Sequence, residues 1–205
     1  MNPGMNRTGP VSPAGCNSPR AGAFQAPRLI TLRGNSASGK STVAAEIRAR
    51  YGRGLAIVSQ DNLRRVILRE RDIPGGANIG LIDLTARYAL DHGYHVIIEG
   101  IMYADRYGPM LTQLRADHAG QTDSYYFDIE FSETVERHAT KAQAAEYGEA
   151  EMASWYRPCD LLPGMAEEII TASMSLDQIV TRVMNDCGLP AQSIAGKAGL
   201  DNVSR

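Results

Sequence analysis

Eight consecutive residues, Gly34-Asn35-Ser36-Ala37-Ser38-Gly39-Lys40-Ser41, fit the pattern G-x-x-x-x-G-K-[S/T] at every fixed position. Glycine makes up near 7% of ordinary sequence, so a chance match in a chain of 205 residues has a probability of roughly 1%. Each fixed residue type has a task in holding a phosphate chain. Gly34 and Gly39 let the backbone curl so that successive N–H groups point at the anion. Lys40 reaches the β- and γ-phosphates, and the Ser41 hydroxyl binds Mg²⁺. A helix beginning near Lys40 adds the positive end of its dipole. The pattern requires a strand before the loop and a helix after it. Leu29-Ile30-Thr31-Leu32 supplies the strand, and Val43, Ile47 and Tyr51, recurring every four residues, supply the buried stripe of the helix. Gly34, Asn35, Ser36, Ala37, Ser38, Gly39, Lys40 and Ser41, with the adjoining Thr42, are therefore the candidate nucleotide-binding residues, with ATP and Mg²⁺ as their ligands.

Strand and helix signals alternate through the rest of the domain. Leu55-Ala56-Ile57-Val58 reads as a strand leading to Gln60-Asp61 and a helix through about Arg69, with a loop over 72–76. Ile79 to His92 reads as a helix, Tyr94 to Glu99 as a strand buried on both faces, and Tyr103 to His118 as a helix. Ser124 to Phe131 reads as a strand, Thr134 to about Ala144 as a helix, Ile169 to Thr171 as a strand, and Leu176 to Cys187 as the last helix. Regular βα alternation predicts an α/β fold, a three-layer α/β/α sandwich with a parallel sheet of about five strands. Residues 28–189 form this domain. Residues 1–27, with five prolines, four glycines and one aromatic residue, read as a disordered leader, and 190–205 as a flexible tail.

Composition narrows the function classes. A formal net charge of -2 argues against a protein that coats nucleic acid. The three cysteines, Cys16, Cys159 and Cys187, form no CxxC pair, which speaks against a disulfide scaffold or zinc site and for reduced thiols in the cytoplasm. No apolar stretch approaches the roughly 20 residues of a membrane helix, and no signal-peptide pattern opens the chain. His92 and His95, interrupted by Gly93 and Tyr94, read as surface or sheet-edge residues rather than a metal pair.

Carboxylates and cations beyond the loop suggest a transfer reaction. Strand carboxyl ends line the ligand crevice of a parallel sheet, so Asp61 is expected to face the site from the strand beside the phosphate loop. There it would orient or deprotonate an acceptor hydroxyl, or cap the following helix. Glu99, ending the third strand before Gly100, would hold Mg²⁺ through water, contact substrate, or cap the next helix. Arg64 and Arg65 are candidate substrate contacts or surface charges. Between about 137 and 160 a polar stretch ends in Trp155-Tyr156-Arg157. With Arg137, Lys141 and Arg157 it reads as a lid that excludes water and neutralises charge on a transferred group, or as a solvated helical hairpin.

Taken together these residues resemble the kinase branch of P-loop proteins that includes chloramphenicol phosphotransferase, zeta toxins, gluconate kinase and the kinase domain of polynucleotide kinase. The resemblance runs over about residues 28–189 in element order and is sharp at the phosphate loop. It implies an aspartate after the second strand acting on the acceptor hydroxyl, here Asp61, and lid cations at Arg137, Lys141 and Arg157, with a lysine at 141 where an arginine is common. It also implies ATP-dependent transfer of the γ-phosphoryl group to a small-molecule hydroxyl, on an antibiotic, sugar, nucleoside or nucleotide sugar. A zeta-like kinase of a cell-wall precursor and a non-catalytic nucleotide-dependent switch are the alternative expectations. The absence of NKxD after the fourth strand and of LSGGQ separates the chain from guanine-selective GTPases and transporter ATPases.

Overall fold

The computed structural model describes residues 26–118, 120–140 and 145–191. The predicted tail beyond Ala191, Lys141, and all of the predicted leader except Ala26 and Pro27 lie outside those residues. Five strands, β1 (Leu29–Gly34), β2 (Leu55–Ser59), β3 (His95–Gly100), β4 (Thr122–Asp128) and β5 (Glu168–Thr171), pair in parallel in the order β2-β3-β1-β4-β5. Among the described residues six α-helices accompany them: α1 (Lys40–Tyr51), α2 (Ala77–Asp91), α3 (Ala104–Asp117), α4 (Phe131–Ala139), α5 (Glu149–Trp155) and α6 (Leu176–Asp186). The turn after β2 is wound as a π-helix over Asn62–Leu68.

The layers follow from the two-residue period of the buried strands. Every residue of β1 and β3 is buried. Ile30, Leu32 and Ile97 pack on one face against Val43 and Ile47 of α1 and Val180 and Val183 of α6. Leu29, Val96 and Ile98 pack on the other against Ile82 and Ala86 of α2 and Leu111 and Leu114 of α3. Each fully buried aliphatic side chain contributes roughly 1.5–3 kcal/mol, so this double core fixes the sheet and with it the loops at its carboxyl edge. The predicted stripe is present: Val43 and Ile47 are buried, and Tyr51 lies partly buried against the same cluster. A capping box starts α6, with Ser175 Oγ accepting from Gln178 N and Gln178 Oε1 accepting from Ser175 N. No helix among the described residues is long and apolar enough to cross a membrane.

Four expectations are corrected. The strand beside the phosphate loop is β3, not the strand that carries Asp61; β3 separates β2 from β1, with Glu99 in register with both Leu32 and Ser59. The fourth strand ends at Asp128, and Phe131 opens α4, where its ring meets Tyr156 edge-on at 5.2 Å. His95 is no surface residue. It is 6% exposed on the interior strand β3, accepts a hydrogen bond from Arg28 N at Nδ1, and burial lowers its pKa. The predicted helix from Thr134 starts at Phe131, and the short helix α5 follows it.

Candidate functional site

The loop after β1 is shaped by two constraints. Gly34 has φ +138°, and a Cβ there would stand 2.6 Å from the Phe127 carbonyl oxygen of β4, so close strand packing as well as backbone curvature demands glycine. Gly39, at φ +103°, precedes α1 without a side-chain cap, leaving the first N–H groups of the helix without a side-chain partner. That is the arrangement an anion completes. Lys40 is buried, and its Nζ donates to the Asn35 carbonyl at 2.7 Å and to Ser38 Oγ at 3.0 Å, which holds the ammonium inside the loop. Ser41 Oγ donates to Glu99 Oε2 at 2.8 Å, and Glu99 is 5% exposed. Ser41 and Glu99, proposed from sequence to serve one ion, thus meet.

Residues from the predicted lid stretch contact the same loop. Arg137, on α4, is braced by Glu133 and donates from Nη1 to the Ser38 carbonyl at 3.2 Å. Asn35 holds the backbone of Arg157 at both ends, accepting from its N at 2.9 Å and donating to its carbonyl at 2.8 Å. Burial pushes the Tyr126 hydroxyl up to about 12, so it stays protonated and donates to the same carbonyl. His138 stacks on Tyr147 with ring centres 4.4 Å apart, and the Tyr147 hydroxyl lies 3.4 Å from Ser36 Oγ.

A cavity of about 600 Å³ opens beside the loop. Ser36, Asp61, Arg64, Arg65 and Arg157 line it together with Tyr103 and Trp155. Asp61 is 62% exposed, accepts from Arg64 at 2.9 Å and makes no side-chain cap, so the capping alternative is not realised. The Arg157 guanidinium lies 3.9 Å over the Tyr103 ring and pairs with Asp105 at 2.9 Å. Arg65 pairs with Glu146 at 2.9 Å. Arg137 stands at the loop rather than in the cavity wall, and Lys141 lies outside the described residues.

Two buried networks went unread in the sequence. Gln60, one residue before Asp61, donates to the Tyr107 hydroxyl at 2.7 Å and accepts from Met102 N. That hydroxyl lies 2.7 Å from both Asp72 Oδ1 and Asn78 Oδ1 and donates its one proton to one of them at a time. Burial drives the Tyr107 pKa strongly upward, so the donor persists. Asn78 in turn donates twice to Glu70, which lowers that carboxyl's pKa. Gly100 passes so close to Gln60 that a Cβ would stand 2.4 Å from its Oε1. The second network centres on Arg33, which is fully buried. It donates to Glu167 at 2.8 Å, to the Asp160 carbonyl at 2.8 Å and to the Met102 carbonyl at 2.9 Å. A charged residue inside an otherwise apolar strand was the one available signal.

No family model and no curated protein matches the sequence. Solved structures do match over most of the chain. The APS kinase CysC of Mycobacterium tuberculosis, solved with AMPPNP and APS, is 20% identical, with a TM-score of 0.61 covering 78% of this chain and 97% of its own. A gluconokinase from Sinorhizobium meliloti 1021 is 15% identical, with a TM-score of 0.54 over 80% and 93%. A tunicamycin resistance protein of Deinococcus radiodurans is 14% identical, with a TM-score of 0.54 over 82% and 99%. The chain shares the fold of these structures.

Proposed function

We propose that this protein transfers the γ-phosphoryl group of ATP to a hydroxyl of a small molecule. The observation that carries the reading is the placement of an acceptor-sized cavity, with Asp61 in its wall, directly against the phosphate loop at Ser36. Loop N–H groups and the start of α1 would hold the phosphates, and Lys40 would neutralise them. Ser41 Oγ and Glu99, 2.8 Å apart, are hard oxygen donors. No cluster of three His, Cys, Asp or Glu ligands occurs among the described residues. That donor set suits Mg²⁺, which is held by few protein oxygens and completed by water and phosphate. Bound there, Mg²⁺ would neutralise charge on the phosphate oxygens.

In the transfer step the acceptor oxygen bonds to the γ-phosphorus while the bond from that phosphorus to the β–γ bridging oxygen breaks. ADP leaves with the electron pair, and the hydroxyl proton passes to Asp61 and then to water. Arg137 at the loop and Arg157 in the cavity wall would offset charge on the transferred group, and the lid would keep water from competing. Arg64, bonded to Asp61 at 2.9 Å, would hold the carboxylate in orientation. Free thiols at Cys159 and Cys187 are in keeping with a cytoplasmic setting.

Purified protein with ATP, Mg²⁺ and a panel of hydroxyl compounds is expected to give a product heavier by one phosphoryl group. Asp61→Asn is expected to lower kcat by about 10²- to 10⁴-fold, with affinity for an ATP analogue unchanged. Full turnover by Asp61→Asn would remove Asp61 from the mechanism.

A further inference from the structure

The cavity's charge is opposite to that of the chain. Five arginines line it, Arg64, Arg65, Arg71, Arg106 and Arg157, against the two carboxylates of Asp61 and Asp72, while the whole protein carries -2. A neutral acceptor such as an unmodified sugar has no use for that concentration of guanidinium groups. Four of the five are partnered: Arg64 by Asp61, Arg65 by Glu146, Arg106 by Asp72 at 3.1 Å, and Arg157 by Asp105. Arg71 has no hydrogen bond or ion pair among the described residues. The Nε atoms of Arg64 and Arg106 are buried without a hydrogen-bond partner, so donor capacity at both groups is unspent. Tyr103 stiffens the array, with Arg157 at 3.9 Å and Arg106 at 5.0 Å over its ring. Guanidinium groups held in place this way lose little freedom when a ligand binds.

We infer that the acceptor carries, besides its hydroxyl, a tetrahedral oxyanion ester, a phosphate or sulfate group, seated between Arg71 and Arg106. This assignment rests on the kinase reading for the acceptor side of the cavity, but it concerns binding and is testable without turnover. The planar fork of arginine matches two oxygens of such a group at once, and Arg71 brings a positive charge with no carboxylate to displace. The two ester types share this chemistry.

Trp155 is the only tryptophan of the chain and lines the cavity, so its fluorescence reports on this space alone. With the phosphate loop saturated by Mg²⁺ and a non-hydrolysable ATP analogue, inorganic phosphate and inorganic sulfate are titrated separately at constant ionic strength. A saturable change is expected, and the tighter of the two anions identifies the ester. Arg71→Gln, an exposed and unpaired position that leaves folding intact, is expected to weaken binding by about 10-fold. Arg106→Gln is expected to do likewise, and Arg182→Gln, which pairs with Glu168 and does not line the cavity, to change nothing. No saturable change, equal binding of acetate, or an Arg71→Gln affinity equal to wild type would each overturn the inference. Binding of the ATP analogue, followed separately by calorimetry, reports on the kinase reading. An analogue that binds while both anions fail would leave that reading standing and remove only this one.

Discussion

Lys40→Ala is expected to lower the rate of phosphoryl transfer by about 10³-fold and to weaken binding of an ATP analogue with it. The reason lies in how the ammonium is held. Lys40 Nζ is fixed by the Asn35 carbonyl and Ser38 Oγ, buried at the root of α1, where N–H groups already favour an anion. A charge kept in place inside a water-poor loop acts on the phosphates at full strength, because no reorganisation precedes the reaction. Lys40→Met, which keeps the stem and removes the charge, is expected to reproduce the loss. Turnover of Lys40→Met within 10-fold of wild type, on a protein with an unchanged melting temperature, would show that the charge is not the active element.

Arg33→Met is expected to cost about 3–5 kcal/mol of stability, because it leaves a buried carboxylate without its counter-charge. Glu167 is paired with Arg33 at 2.8 Å, and its side chain is 1% exposed. In a domain of this size such a loss lowers Tm by about 10 °C. The same guanidinium joins the end of β1 to Met102 and to Asp160, whose carboxylate also accepts from Ala104 N. Three segments that frame the site therefore loosen together. The double variant Arg33→Met with Glu167→Leu is expected to recover most of the lost stability, since a buried ion pair is readily replaced by apolar groups of similar volume. A single variant that melts within 2 °C of wild type would contradict this account of how the segment after α5 is fastened.

The parts of this molecule that were legible in its sequence are those governed by local rules. The phosphate loop announces itself because each of its fixed residues answers to geometry within eight positions, and Val43 and Ile47 mark α1 by spacing alone. Strand order was not legible: nothing near Asp61 says that β3 lies between its strand and β1. Gly34 is constrained by Phe127, and Asn35 by Arg157, both about a hundred residues away, and neither partner carries a local signature. The Gln60–Tyr107–Asp72 network is of the same kind, joining the end of β2, α3 and the loop before α2. His95 reads as a surface residue because its neighbours Gly93 and Tyr94 look like a turn, while its own position is set by pairing on both sides of β3. The short helix α5 hid in a polar run whose burial rests on Met152 alone.

The most direct measurement is the fate of the terminal phosphate. The protein is incubated with Mg²⁺, ATP labelled at the γ-phosphorus and a metabolite extract, and labelled species are separated by charge and mass. Label is expected in an organic phosphoester, formed in step with ADP and lost in Lys40→Ala. Label that stays in ATP, or that appears only as inorganic phosphate while the nucleotide is bound, would contradict it and make the chain a nucleotide-dependent switch.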